Sequence, residues 1–389
     1  MSRPTLEVAD VLRAHGKRFL EQHRSWLGFQ QCKALNAIAR CRTAALGGHV
    51  DACSSCGFQA ISYNSCRDRH CPKCQAQARQ RWLAAREREL VGVSYFHVVF
   101  TLPHDLNPLC LYNARPLYNL LFETSAATLL EVAADPKHLG ARIGFLSILH
   151  TWGQNLLLHP HVHCVIPAGG FSPDHARWIY PRHLFFLPVK VLSRVFRGKF
   201  VAGLRRLHRH KKLRLHGGIS ALTEERCFAA FLRTLFRRDW VVYAKPAFGG
   251  PAQVLRYLGR YTHRVAISNH RLLAFDGERV TSRWKDYAHG NKHRKMTLTA
   301  AEFLRRFVQH VLPRGFVRIR QYGFLANRCR TSQLALARQL LTTTPRSRDP
   351  CQAANAPTWR CPRCNATMII GPNLTARELA LRCTFFDSS

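Results

Sequence analysis

Acidic side chains are scarce in this chain. Its 22 Asp plus Glu stand against 59 Lys plus Arg, which leaves a formal net charge of +37, far more than solubility requires. Too few carboxylates are present to neutralise the cations internally, so the surplus is a field that attracts polyanions. For a protein without a membrane anchor, the commonest polyanion is nucleic acid. Long apolar runs are missing as well: no stretch approaches the roughly 20 residues that cross a bilayer, which excludes a membrane-spanning helix and a membrane partner. The N-terminal stretch mixes acids and bases and lacks a signal-peptide core, so a cytoplasmic protein is expected. In that reducing compartment the 15 cysteines are expected as metal ligands and buried thiols rather than disulfides. Internal repeats and low-complexity blocks are absent too.

What is present begins with the clustering of the charge. Between Arg194 and Arg214 nine residues are Lys or Arg and none is acidic, with Val195, Phe196, Phe200, Val201 and Leu204 between them at helical spacing. That spacing predicts a basic face backed by a buried one. Residues 5 to 45 read as two helices, with Val8, Val11, Leu12, Phe19 and Leu20 on the first and Ala34, Leu35 and Ile38 on the second. After Gly47-Gly48 the texture changes. Cys53-x2-Cys56 and Cys71-x2-Cys74, with 14 residues between, have the spacing at which two knuckles close a tetrahedral zinc site, and His49, Cys66 and His70 also lie in reach.

Val93 to Thr101 is an almost unbroken β-branched and aromatic run, which predicts a core strand. Residues 116 to 133 predict an apolar-striped helix, and Phe145 to Trp152 a second strand. A short connection leads into LHPHVHCVIPAGG at Leu158 to Gly170. A strand starting at or after Pro160 puts His161 and His163 on one face, where two imidazoles can hold one divalent cation, and Val162 and Cys164 on the other. A hairpin with the preceding strand brings His150, Gln154 or His159 near as a third ligand. Gln154 is preferred, because an amide oxygen suits a hard cation. Trp240 to Ala244 predicts a further strand, and Gly249-Gly250-Pro251 opens a helix, PAQVLRYLGRYTHR.

On that helix Tyr257 and Tyr261 lie one turn apart, beside a row of Arg256, Arg260 and Arg264 at the same spacing. Guanidinium groups read phosphate oxygens with a bidentate fork. A phenol with an ordinary pKa near 10 needs such help, or a nearby cation, before it attacks a phosphodiester. His161-Val162-His163 matches the HUH motif. Tyr257-x-x-Arg260-Tyr261-x-x-Arg264 resembles the paired-tyrosine pattern of two-tyrosine HUH endonucleases. With the cysteine-rich region upstream, residues 45 to 325 resemble a rolling-circle insertion-sequence transposase of bacteria with an N-terminal zinc-binding domain. Its relatives are Helitrons and rolling-circle replication proteins, not three-carboxylate recombinases.

The resemblance implies an α+β protein with an HUH-type antiparallel sheet flanked by helices. With the helices and tail read from the residues, the chain is expected to divide into a helical and zinc-binding domain at 1–92, a catalytic domain at 93–325, and a linker and tail with a possible second zinc knuckle at 326–389. The resemblance further implies that His161 and His163, with one more polar ligand, bind Mg²⁺ or Mn²⁺, while Zn²⁺ is structural. Tyr257 and Tyr261 would each attack a DNA strand, giving a 5′-phosphotyrosine and a free 3′-OH. The partners would be single-stranded DNA at transposon ends and target DNA, with the protein at the nucleoid when in use. Each phosphodiester's energy would be kept in the protein link, and the sequence holds no G-x-x-x-x-G-K-[ST] loop for ATP. Two other readings remain open: a zinc-containing nucleic-acid-binding regulator without chemistry, and a metal-dependent hydrolase in which water attacks and the tyrosines are irrelevant.

Four later features complete the sequence. Thr223 to Arg226 predicts a helix start, and the HGNKHRK segment is a basic loop suited to stacking bases or to solvation. Thr299 to Glu302 has the capping-box spacing for a helix. Cys361-x2-Cys364 is a further knuckle, with Cys351 and Cys383 available to complete it.

Overall fold

The computed structural model describes residues 4–182, 186–246, 253, 259, 266–286, 289–342, 359–379 and 381. The chain divides into two compact units, and neither is one continuous segment: Met1–Gln77, Ile267–Val308 and Arg346–Ser389 form the first, Ala78–Ala266 and Gln309–Pro345 the second. Each is a mixture of helices and antiparallel sheet, the α+β class that the sequence implies.

The second unit is built on a five-stranded sheet. Its strands are β3 (Tyr95–Thr101), β4 (Gly144–Trp152), β5 (Leu158–Pro167), β8 (Val242–Pro246) and β12 (Ile319–Gly323), in the order β12-β4-β5-β3-β8. Every neighbouring pair is antiparallel. The histidine strand β5 is therefore central, hydrogen-bonded on both sides. Alternation sends Val162, Cys164 and Ile166 to one face, where they are fully buried with Val98, Phe100 and Phe145. Helix α5 (Ala114–Ala134), entered from the short α4 (Asn107–Tyr112), covers the same core together with α6 (Val189–Arg209). The apolar stripe of α6 (Leu192, Phe196, Phe200, Val201, Leu204) faces in, while Arg194, Arg205, Arg206 and Arg209 are on the outward side, which is the two-faced helix the spacing predicts. Gly203 lets α5 approach closely: a Cβ there would lie 2.3 Å from Leu120 Cδ1.

β5 begins before Pro160 rather than after it, for a visible reason. His150 pairs with His161 and Trp152 with Leu158, so one residue of β4 faces two of β5, His159 and Pro160. Such a bulge tolerates a residue without a donor N–H. On the other edge only the Pro160 carbonyl is used, accepting from Leu102 N–H at 3.0 Å. At the far end the strand stops at Pro167, and two residues on comes Gly169, whose φ of +117° and a Cβ position 2.2 Å from the Ile179 carbonyl admit only glycine. Beyond it a short ribbon pairs β6 (Gly170–Phe171) with β7 (Trp178–Ile179).

In the first unit, α1 (Val8–Gln22) and α2 (Phe29–Ala39) pack together, and α1 also packs on the helix Ala300–Val308. The last of these is capped by Thr299 Oγ1, which accepts from Glu302 N–H at 3.3 Å. A hairpin of β10 (Arg279–Asp286) and β11 (Lys292–Thr299), with β9 (Leu272–Phe275) on its edge, carries exposed Arg, Lys and His along β11. The remaining sheet is β13-β1-β2, formed by β1 (Gly48–Cys53), β2 (Gln59–Tyr63) and β13 (Met368–Leu374). The tail is thus no separate appendage: β13 pairs with β1 across more than 300 positions of sequence, with a register shift between His49 and Asp51. Among the described residues no helix is long and apolar enough to cross a membrane.

Candidate metal centre and cysteine clusters

Three imidazoles gather on the face of the sheet opposite the α5/α6 core. His161 and His163 project from central β5, and His150 sits directly across from His161 on β4. Ring centroids are 4.8 Å apart for His161 and His163, 4.4 Å for His150 and His163, and 5.4 Å for His150 and His161. One ring nitrogen from each lies within 4.8 Å of the other two, close enough for one cation. His150 and His163 are buried, at 2% and 8% exposure, and His161 is partly so.

Burial also fixes the protonation of these rings. Desolvation, reinforced by the neighbouring His159, pushes His161 down to about 3, and holds His163 well below the ordinary range with help from His150, His161 and His97. Both are neutral at pH 7 and offer a lone pair. Which nitrogen carries it is set by the next layer. His161 Nδ1 donates to the His159 carbonyl at 2.6 Å, leaving Nε2 as the lone-pair atom. His163 Nδ1 is 2.8 Å from His97 Nε2 on β3, with the ring planes within 4° of parallel. When His163 Nδ1–H donates across that bond, its Nε2 is likewise the atom that presents a lone pair to a metal. Burial pushes His97 itself down to about 4, so it stays neutral and able to accept.

Among the three expected candidates for the third ligand, His150 has a ring nitrogen close to those of His161 and His163. Gln154 lies beyond the end of β4, in the turn that leads to β5, whereas His150 is in the ladder opposite His161. His159 falls in the bulge, its ring 5.1 Å from His161 and 5.3 Å from His104. His97 was not singled out from sequence. Its signal was the alternation of Val93 to Thr101, which puts one histidine among β-branched and aromatic residues.

Tyr257, Tyr261, Arg256, Arg260 and Arg264 lie outside the described residues. Within the stretch expected as their helix, Gln253 and Gly259 are described and helical, and Gly259 is buried against Leu83 of α3 (Ala76–Glu87), where a Cβ would come within 2.8 Å of Leu83 Cδ1.

The cysteines assemble differently from the single site read from spacing. Cys53 and Cys56 do not join Cys71 and Cys74. Instead Cys41, Cys66, Cys71 and Cys74 form one cluster, and Cys53, Cys56, Cys361 and Cys364 another, with sulfur atoms mutually within 4.8 Å in each. In the first, Cys66 Sγ is 3.7 Å from Cys74 Sγ, and Cys66 N–H donates to Cys41 Sγ at 3.5 Å. Sequence separation misled because the folded chain, not adjacency, brings Cys41 and Cys361 in. His70 is buried and bonded to Asp68 through Nδ1 at 2.8 Å, and His49 lies 3.4 Å from Asp51. Cys351 and Cys383 lie outside the described residues.

A family model described as "Putative transposase" matches residues 144–333, and one described as "Transposase zinc-binding domain" matches residues 11–102. The chain is 54% identical over 341 residues to "Putative transposase y4qJ" of Sinorhizobium fredii, covering 88% of this chain and 85% of that protein. It is 28% identical over 379 residues to "Transposase for insertion sequence element IS801" of Pseudomonas savastanoi pv. phaseolicola, covering 90% and 88%. No solved structure matches the chain.

Proposed function

The chain belongs to the IS91 family of transposases, and on that premise we propose that it nicks and transfers single DNA strands through 5′-phosphotyrosine links, in the rolling-circle manner. The observation that carries this reading is the convergence of His150, His161 and His163, all on one face of the sheet. Three imidazoles, of which His161 and His163 are held neutral by burial, fit a divalent cation, and an all-nitrogen set suits Mn²⁺ better than Mg²⁺, which prefers oxygen. Bound there, the cation would polarise the scissile phosphate and offset charge developing on it.

Tyr257 and Tyr261 carry the covalent step in this proposal. A phenolate oxygen attacks phosphorus, the P–O3′ bond breaks, and the departing 3′-oxygen takes up a proton. Attack by a 3′-OH on the phosphotyrosine reverses the step and frees the phenol, so neither ATP nor ligase is consumed. Two tyrosines let one chain hold two strand ends at once. Arg256, Arg260 and Arg264 would grip the phosphates between them. The cluster Cys41, Cys66, Cys71 and Cys74 would hold the zinc of the matched zinc-binding domain.

The test is direct. Incubated with single-stranded DNA carrying the element's own end and with Mn²⁺, the protein is expected to cut the strand and stay attached to it through SDS denaturation. Cutting and attachment should both vanish in H161A. Cutting without attachment would mean that water is the nucleophile; no cutting at all would leave a DNA-binding regulator.

A further inference from the structure

The cluster of Cys53, Cys56, Cys361 and Cys364 reaches beyond the matched zinc-binding domain, which ends at residue 102. Two of its thiols come from the tail. We propose that these four cysteines bind a second structural zinc, so that the first unit's three-stranded sheet is closed by a metal shared between the N-terminal region and the tail.

The two knuckles are built alike, position for position. In the first, Cys53 N–H donates to the Phe58 carbonyl at 2.8 Å, Gly57 N–H to the Cys53 carbonyl at 3.3 Å, and Ser55 N–H to Cys53 Sγ at 3.5 Å. In the second, Cys361 N–H donates to the Ala366 carbonyl at 2.8 Å, Asn365 N–H to the Cys361 carbonyl at 2.9 Å, and Arg363 N–H to Cys361 Sγ at 3.4 Å. After the second cysteine of each comes a left-handed residue, Gly57 at φ +69° and Asn365 at φ +58°. Asn is the side chain that tolerates this region best after Gly. A strand then follows each knuckle, β2 and β13, and both pair with β1. N–H groups aimed at sulfur stabilise thiolate, the form that binds metal.

Distances between the knuckles discriminate among thiol chemistries. Cys53 Sγ lies 3.4 Å from Cys364 Sγ and Cys56 Sγ 3.6 Å from Cys361 Sγ. A disulfide needs about 2.05 Å. A tetrahedron with Zn–S bonds of about 2.3 Å has edges of about 3.8 Å, which these approach. The apolar packing around the sulfurs is small: among the described residues the buried members of their cluster are Cys53, Cys361 and Met368, with Phe58, Ala60 and Ala366 partly buried against them, while Ile369 and Ile370 on β13 are exposed. A sheet with so small a core is the kind that a metal staples.

Zinc per chain in the full-length protein, purified under reducing conditions and measured by mass spectrometry, should be two, and one in C361S/C364S. Two zincs retained in that variant would overturn the proposal. Since the variant could fail to fold, the wild-type chain gives a second readout. Cys56 and Cys364 are exposed, as is Cys227 on the helix Glu225–Thr234. Iodoacetamide should modify Cys227 promptly and leave Cys56 and Cys364 at least tenfold slower until a zinc chelator is added. Equal rates at all three without chelator would likewise overturn it.

Discussion

His150 is the residue on which the metal centre is most sharply testable. Standing across the ladder from His161, it should be a ligand, whereas Gln154 in the turn should not. H150A is therefore expected to weaken Mn²⁺-dependent strand cleavage at least 100-fold and Q154A far less, read as the metal concentration that gives half-maximal rate. The reverse ranking would move the third ligand to the turn. His97 acts one layer out, through its 2.8 Å contact with His163, and such partners are worth about 10- to 100-fold in metal affinity. H97F should show that loss in metal affinity while a saturating concentration restores the rate. A rate that stays low at saturation would mean that His97 does more than orient a ligand. A histidine outside the metal centre also contributes to the acid sensitivity of the fold. His310 is buried between Thr151 Oγ1 at 3.1 Å and the Leu156 carbonyl at 3.0 Å, and burial pushes it down to about 4. Its unfolded value is near 6.5, so between about pH 6.5 and 4 the unfolded chain binds the extra proton and stability falls with pH, by up to about 3 kcal/mol from this group. Urea midpoints at pH 7 and pH 5 should differ less in H310Q than in wild type. Identical differences would remove His310 from the account. The imidazole pair was legible in the sequence because strand alternation is local. That His150 stands beside the pair was legible only as one of three possibilities, since its place needs the register, and the bulge at His159 and Pro160 shifts that register by one.

At the scale of elements, the strands and helices that carry long apolar patterns were readable. β3 and β4 fall within two residues of their expected bounds, and α6 has the basic and apolar faces expected of the stretch from Arg194. What local pattern could not give was β13, whose sequence MIIGPNL carries Gly371 and Pro372 in the interior of a strand. It is a strand because β1 offers it a ladder, with Gly371 against Val50: a Cβ there would lie 2.0 Å from the Val50 carbonyl. The cysteine grouping failed for the same reason, because Cys361 meets Cys56 through strand pairing and not through spacing. The α5/α6 interface makes its own prediction. With Leu120 filling the space that a Cβ at Gly203 would need, G203A should overpack the helix interface and cost about 1 to 3 kcal/mol, measured as a lower urea midpoint at unchanged slope. An unchanged midpoint would show that the flexible end of Leu120 absorbs the methyl group.

For the whole molecule the governing quantity is a charge of +37. Binding of single-stranded DNA should weaken linearly in log[salt], with a slope of about 0.7 for each phosphate neutralised. Replacing Arg205, Arg206 and Arg209 on the outward face of α6 by Ala should lower the slope in magnitude by that amount for each phosphate no longer neutralised. A slope left intact would place the DNA on another face. The claim on which the rest depends is that the imidazole centre serves a tyrosine nucleophile. Its most direct measurement is to isolate the protein–DNA product formed with Mn²⁺, digest it, and locate the nucleotide by mass spectrometry. The account predicts a 5′-phosphate esterified to Tyr257 or Tyr261, with a polymerase-extendable 3′-OH on the released strand and no product in Y257F/Y261F. A cleaved strand whose 5′-phosphate is free, formed equally by that double variant, would contradict it.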